Sequence, residues 1–377
     1  MPKILLFCFS ILVVACTDCP TDTFSTTTLN ITKPAHFPAF PNIEENQLTT
    51  EGVALGKALF YEKKLSGDNT MSCNTCHQQE QAFATTNAVE IGIDGLAGTR
   101  SSMPLFNLLW NKEHFFWDGR AQTLGEQTQL PVEDPIEMHE TWENAIEELK
   151  QDPDYVTLFK KAYNSSADDI SAFYAGDALR QFLKSMVSSN SKYDKFRRGE
   201  LNLTPEELAG YQVFIGEGPV DGISTGGADC FHCHGEPLFT DYLFHNNALD
   251  TDADQTDVGR LDATGFSSDK AKFKTHSLRN IAFTAPYMHD GRFETLEEVV
   301  EHYNAGGKHS ATVDPLMKYV GEGLLLTDDQ KQNLLAFLYT LSDDDFITNA
   351  ISEIKKDTNK ENIIIDNNTT KTNEIDV

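Results

Sequence analysis

The chain has 377 residues, 40% of them hydrophobic, with 58 acidic against 30 basic side chains and a formal net charge of −28. That length accommodates two domains of ordinary size, and the charge excludes a nucleic-acid partner, whose phosphates are met by Lys and Arg. It equally argues against electrostatic attachment to anionic lipid, while it suits either plain solubility or the steering of a basic protein partner towards the surface.

At the N-terminus Lys3 precedes the apolar run Ile4 to Ala15, too short to span a bilayer and of the length of a signal-peptide core, predicted over 1–15. It ends in Val13-Val14-Ala15-Cys16, which resembles a bacterial lipoprotein cleavage box. On that reading Cys16 becomes the lipid-modified first residue, and the chain is exported to the periplasm and held to a membrane through that anchor alone. The alternative is an ordinary signal peptide followed by an unrelated cysteine. Residues 16–45 are rich in Thr, Asn and Pro and read as a flexible tether. Of the seven cysteines, Cys8 falls in the signal, Cys16 is the anchor and Cys19 lies in the tether, so no structural disulfide is suggested.

The remaining four form two Cys-x-x-Cys-His motifs, Cys73-Asn-Thr-Cys76-His77 and Cys230-Phe-His-Cys233-His234. Each reads as a covalent c-type haem site, in which two sulfurs anchor the porphyrin edge and the His ligates iron. A four-cysteine zinc site would bring its pairs within roughly 15–20 residues. Here more than 150 residues separate them. A weak internal repeat surrounds the motifs. Gly56-Lys-Ala-Leu-Phe60 leads to the first, and Gly210-Tyr-Gln-Val-Phe214 leads to the second. Thr204-Pro205-Glu206-Glu207 supplies an N-cap, a first-position Pro and a capping-box Glu. Each half closes in an amphipathic segment, Ala175 to Val187 in the first and Thr327 to Leu341 in the second, the latter opened by a Thr327/Gln330 capping box. The fold class predicted is therefore mostly α, with two cytochrome c-like helical domains, each holding one haem. The first is placed at 46–195 and the second at 196–345, with a boundary near 190–203 and a disordered Asn-, Lys- and Thr-rich tail over 346–377.

An iron that only transfers electrons needs a second axial ligand; an open position permits chemistry. After His77 no His occurs before His114, and Met103 sits in the apolar run Met-Pro-Leu-Phe, where packing suits it better. The first haem is therefore expected to be five-coordinate. After His234, Thr295 and Glu298 form a capping box, and Leu296, Val299, Val300 and Tyr303 share one helix face. Tyr303 is thus an inward residue near a helix end, either an iron ligand or a buried aromatic, whereas His302 falls on the polar stripe with Glu298. Tyrosine is a known haem ligand.

These residues resemble the bacterial dihaem cytochrome c peroxidases, especially their MauG-like branch, from about residue 45 to 345. The strings that carry the resemblance are Met-Ser-Cys-Asn-Thr-Cys-His at 71–77, Phe-Trp-Asp-Gly-Arg-Ala at 116–121, Ser-Leu-Arg-Asn at 277–280, Ala-Pro-Tyr-Met-His-Asp-Gly-Arg-Phe at 285–293 and His-Tyr-Asn at 302–304. The resemblance implies that the N-terminal haem reacts with peroxide and the C-terminal haem relays electrons. It implies that Trp117 lies between the haems, and that Gln127, Pro131 and Glu137 lie over the first iron, with Glu137 in the acid–base role. Tyr303 falls where ordinary members place a methionine ligand and MauG a tyrosine. The ordinary members also carry a distal His on the first haem, which this chain lacks, so no half-reduction switch is implied. A calcium ion between the haems is implied through Ser101 and the carbonyls of Thr284 and Pro286, although Ser replaces the usual Asn and is a poorer ligand. His289 and Arg292 would lie near haem propionates; His276, where relatives often have proline, receives no role.

The expected activity is reduction of hydrogen peroxide to water with electrons from a small cytochrome c or cupredoxin. The alternatives are MauG-like oxidation of residues in a partner protein, and a non-enzymatic dihaem electron carrier. Whether the chain works alone or as a homodimer is open at this level.

Overall fold

The structure is a computed structural model and describes residues 24–41 and 47–349. The signal segment, Cys8, the Cys16 anchor, Cys19 and the tail from residue 350 lie outside the described residues.

The described chain is mostly α-helical. Its first half runs α1 (Thr50–Phe60), α2 (Cys73–Cys76), α3 (Leu124–Glu133), α4 (Trp142–Lys150), α5 (Pro153–Tyr163) and α6 (Ala172–Ser185). Its second runs α7 (Lys192–Arg197), α8 (Pro205–Ile215), α9 (Leu261–Thr264), α10 (Leu296–Asn304), α11 (Asp328–Tyr339) and α12 (Asp344–Asn349). Strands occur only as short antiparallel pairs, β1 (Thr28–Leu29) with β2 (Leu48–Thr49) and β3 (Phe244–His245) with β4 (Phe273–Lys274). Capping boxes at Thr204/Glu207, Thr295/Glu298 and Thr327/Gln330 start α8, α10 and α11 where the sequence places them. The closing helix α6 begins at Ala172, earlier than the Ala175 read from periodicity, because the Ser171 hydroxyl caps it by accepting from the Tyr174 N–H.

The repeat is carried by backbone contact. α1 crosses α6 at Gly56, where an added Cβ would lie 1.9 Å from the Ala178 carbonyl oxygen. α8 crosses α11 at Gly210, where it would lie 1.8 Å from that of Asn333. Behind each crossing an Asn turns left-handed, Asn107 at φ 55° and Asn280 at φ 57°, and donates its N–H to the end of the closing helix, at Met186 and Leu341. The turns Phe115–Ala121 and Tyr287–Phe293 then match, each bridged antiparallel at its ends and each leading into a helix with a Thr/Glu capping box, α3 or α10.

Each half has its own core. One gathers Leu55, Leu59, Phe60, Phe83, Trp142, Phe159 and Phe182; the other gathers Tyr193, Phe214, Phe239, Phe337 and Leu341. Phe346, one residue past the expected end of the second domain, is 7% exposed and belongs to the first core, so the chain returns to cover the half it began in. Residues 24–41 also depart from the expected tether. β1 pairs with β2, Phe37 packs edge-on against Trp110 with centroids 5.0 Å apart, and His36 Nε2 lies 2.6 Å from Asp194. Aromatic and cationic residues hidden among Thr and Pro give this strap enough buried contact to order it.

Candidate active site

A cavity of about 470 Å³ opens in the first half, within the range that holds a cofactor-sized group. Its walls include Cys73, Cys76 and His77 from α2 and its C-cap, Trp117 from the loop before α3, Gln127 and Pro131 from α3, and Glu137 just beyond it. Phe60 of α1 and Leu179 and Leu183 of α6 close it from the helix crossing. Gln127 and Pro131 stand four residues apart on α3 and both face the cavity.

His77 Nδ1 lies 2.8 Å from the Phe83 carbonyl, and His234 Nδ1 lies 3.1 Å from that of Phe239. Nδ1 is the donor in each pair, which leaves Nε2 free for a metal. Both acceptors sit on left-handed backbone, Phe83 at φ 59° and Phe239 at φ 54°, a conformation unusual for a bulky residue. Burial of both phenylalanines holds it, and the sequence carries no signal for it. All four motif cysteines are free thiols. Burial pushes Cys73, Cys230 and Cys233 up to about 12.

Burial likewise raises the Glu137 carboxyl to about 7, helped by the charge of Asp134 and opposed by Arg120. A group so placed exchanges protons near neutrality. The Gln127 Oε1 is buried with no hydrogen-bond partner, a polar atom that awaits something in the cavity. Trp117, 9% exposed, donates from Nε1 to the Ser101 carbonyl at 2.8 Å. Its ring meets His276 edge-on, and His276 meets His234, so an unbroken aromatic contact runs from this cavity to the second motif.

In the second half Tyr303 is enclosed near Cys230 and Cys233, and burial pushes its phenol up to about 12. Its hydroxyl accepts from Asn247 Nδ2 at 3.4 Å. His302 Nε2 is instead tied to the Asn247 carbonyl at 3.0 Å. The repeat aligns Tyr303, eight residues after the cap Thr295, with Pro131, eight after Thr123. Where one half has a phenol, the other has a side chain with no donor atom.

Of the residues linked to calcium, Ser101 donates its hydroxyl to the Met288 carbonyl at 3.1 Å and Thr284 to that of Ile281 at 3.3 Å. His289 stacks face to face on Phe273 at 3.6 Å, and Arg292 is engaged by Asp250 and Asp290. His276 and the two phenylalanine carbonyls are the site residues that sequence reasoning passes over.

The donor set fits a covalent haem in each half: two free thiols, a His with its second nitrogen already spent and, in the first half, a cavity of matching size. A family model described as di-haem cytochrome c peroxidase matches residues 50–202. The methylamine utilization protein MauG of Methylorubrum extorquens is 33% identical over 302 residues, covering 80% of this chain and 81% of that protein. The cytochrome c551 peroxidase of Nitrosomonas europaea is 32% identical over 302 residues, covering 77% of this chain and 79% of that one. The crystal structure of a MauG-like protein associated with microbial copper homeostasis superposes with a TM-score of 0.77 at 32% identity, covering 85% of this chain and 97% of that chain. The chain therefore belongs to the bacterial dihaem cytochrome c peroxidase and MauG-like family, and is an oxidoreductase that carries two covalently bound c-type haems.

Proposed function

We propose that this peroxidase reduces hydrogen peroxide in the Cys73–His77 cavity and receives its electrons through the Cys230–His234 half. The two halves act as two domains close to 46–195 and 196–345, with α7 and Tyr193 on the second side of that boundary and Phe346 returning to the first. The observation that carries this reading is the alignment of Pro131 with Tyr303. Tyr303 would offer a phenol oxygen to the second haem, whereas Pro131 would offer the first no donor atom. That asymmetry also argues against a plain electron carrier, which needs both irons closed.

The first haem, when bound, supplies the iron at which peroxide is held and from which two electrons reach it. The chain's own residues handle the protons. Reduction consumes two protons and two electrons and releases two waters. Glu137, poised near neutrality, takes the proton that peroxide loses on binding and returns one to the departing oxygen. Gln127 orients the peroxide by accepting its O–H at the unpartnered amide oxygen. Trp117 couples the cavity to the second half through His276. A calcium ion at Ser101, Thr284 and Pro286 has less support, because serine stands where relatives usually supply asparagine and is a poorer ligand.

The electron donor is a small cytochrome c or cupredoxin, and the excess of acidic residues favours one with a basic face. The chain acts from the periplasmic side of a membrane, tethered through Cys16. No helix among the described residues is long and apolar enough to cross a membrane. A second reading, oxidation of residues in a partner protein, is favoured by the tyrosine at 303 and the likeness to MauG.

Electron paramagnetic resonance of the ferric protein tests the assignment. One high-spin and one low-spin haem are expected, and Tyr303→Phe is expected to abolish the low-spin signal. Two low-spin haems, or a Tyr303→Phe spectrum equal to wild type, would overturn it. Fast turnover with a reduced small cytochrome separates the peroxidase reading from the protein-oxidising one.

A further inference from the structure

Lys274 is a buried cation with no carboxylate of the described residues in direct contact. It lies on β4, in the second half, and is 4% exposed. Its ammonium reaches across to the first half and donates to the His114 carbonyl at 2.6 Å, the Glu113 carbonyl at 3.2 Å and Asn111 Oδ1 at 3.4 Å. All three acceptors are neutral; Asp241 and Glu113 attract the ammonium only from beyond hydrogen-bond reach. The rings of Phe244 and Tyr242, 5.2 and 5.6 Å away, offer only their π faces. A second cation, Arg260, sits 3.8 Å over the same Phe244 ring. Burial and the Arg260 charge together push the Lys274 ammonium down to about 8.

Burying a charge is costly unless an opposite charge meets it. Carbonyl dipoles satisfy the N–H groups, while Asp241 and Glu113 only partly offset the charge. Lys274 is also part of the wall of the first cavity, as are Tyr242 and Asn111. Tyr242 makes no side-chain hydrogen bond among the described residues, and burial raises its phenol. A cationic group and a free hydroxyl donor therefore stand side by side on the wall of a space whose occupant bears two carboxylates.

We infer that the Lys274 charge faces, and the Tyr242 hydroxyl hydrogen-bonds, a propionate carboxylate of the haem held in the first cavity. The inference rests on the placement of that haem at Cys73, Cys76 and His77. It makes a residue of the second half a determinant of the first haem's electrostatics. Removing the ammonium removes a positive charge beside the iron's own group, and so favours the oxidised form.

Full-length holoprotein carrying Lys274→Met, Lys274→Arg or Tyr242→Phe is titrated spectroelectrochemically, with haem content measured on the same samples. Lys274→Met is expected to keep two haems and lower the first-haem midpoint, with the second unmoved; Lys274→Arg is expected to restore it. If Lys274→Met does not accumulate as folded protein, Tyr242→Phe is expected to give a smaller shift in the same direction. An unchanged first-haem midpoint with only a lowered Tm would make Lys274 a structural clasp and overturn the inference, as would a shift confined to the second haem. The placement itself fails separately, if Cys73→Ala/Cys76→Ala protein still binds two haems covalently.

Discussion

The indole of Trp117 and the imidazole of His276 meet edge to face with ring centroids 5.6 Å apart. His276 meets the His234 ring in the same manner at 6.1 Å. The two halves of the chain are thus joined, at the level of their reactive groups, by one continuous aromatic contact.

Replacing the Trp117 indole with a smaller ring breaks that contact. Trp117→Phe is expected to retain both haems and to turn over roughly tenfold more slowly, equivalent to about 1.4 kcal/mol on the limiting barrier. Stopped-flow mixing of the donor-reduced protein with peroxide reads the slowed exchange between the haems directly. An unaltered exchange rate would assign Trp117 to packing alone.

Glu137 is expected to give the reaction its pH dependence. Its carboxyl is raised to about 7, so it is protonated, and unable to accept a proton, at lower pH. The rate of reaction with peroxide is expected to rise through about pH 7 and then level off. Glu137→Gln is expected to lower kcat/KM for peroxide by about 10²–10⁴ and to flatten that rise. Retention of the rise in the variant would point to a different base.

If the missing ligand is what opens the first site, supplying one should close it. Pro131→His places an imidazole at the position where the other half carries Tyr303. The first haem is expected to become low-spin and its reaction with peroxide to slow by on the order of a hundredfold, about 2.7 kcal/mol. Pro131 lies inside α3, where proline costs a helix about 3 kcal/mol, so Tm should hold or rise. Lost reactivity together with a retained high-spin signal would count against the repeat-based explanation.

Asp194 fixes the acid end of the stability profile. It is fully buried and bidentate with Arg279, at 2.7 and 2.8 Å, and it also meets His36 and Ser191. Burial alone would raise its carboxyl, but Arg279 and the hydrogen bonds of His36 and Ser191 hold it down at about 2. Because the folded value lies below the unfolded one, the stabilisation is present above about pH 4 and is lost as pH falls towards 2. Asp194→Asn is expected to cost about 3–5 kcal/mol by leaving the Arg279 charge buried and unpaired, and to remove that acid limb in chemical denaturation followed across pH.

Much of this was legible in the residues because local rules governed it. The Cys-x-x-Cys-His motifs, the Gly56 and Gly210 helices and the Thr295 capping box each declare themselves over a few positions. The inward face of α10 carries Tyr303 for the same reason. What escaped notice depends on distant partners. The Phe83 and Phe239 carbonyls turn towards histidine only because buried rings pin an unfavourable backbone. His276 gains meaning only beside Trp117, far away in the chain. The strap at 24–41 reads as a tether until Phe37 finds Trp110 and His36 finds Asp194. Phe346 shows the same thing at the other end, since its burial comes from the half that precedes it by more than 150 residues.

The glycine crossings leave the haem loops little freedom. At Gly56 and Gly210 backbone meets backbone, and at the first crossing Phe60, Leu179 and Leu183 continue into the cavity wall. Closely packed interiors yield little when a charge inside them changes. Walls of this kind would keep the nuclear reorganisation small when a haem held there gains or loses an electron. Two missing methyl groups would thereby bear on how readily electrons move.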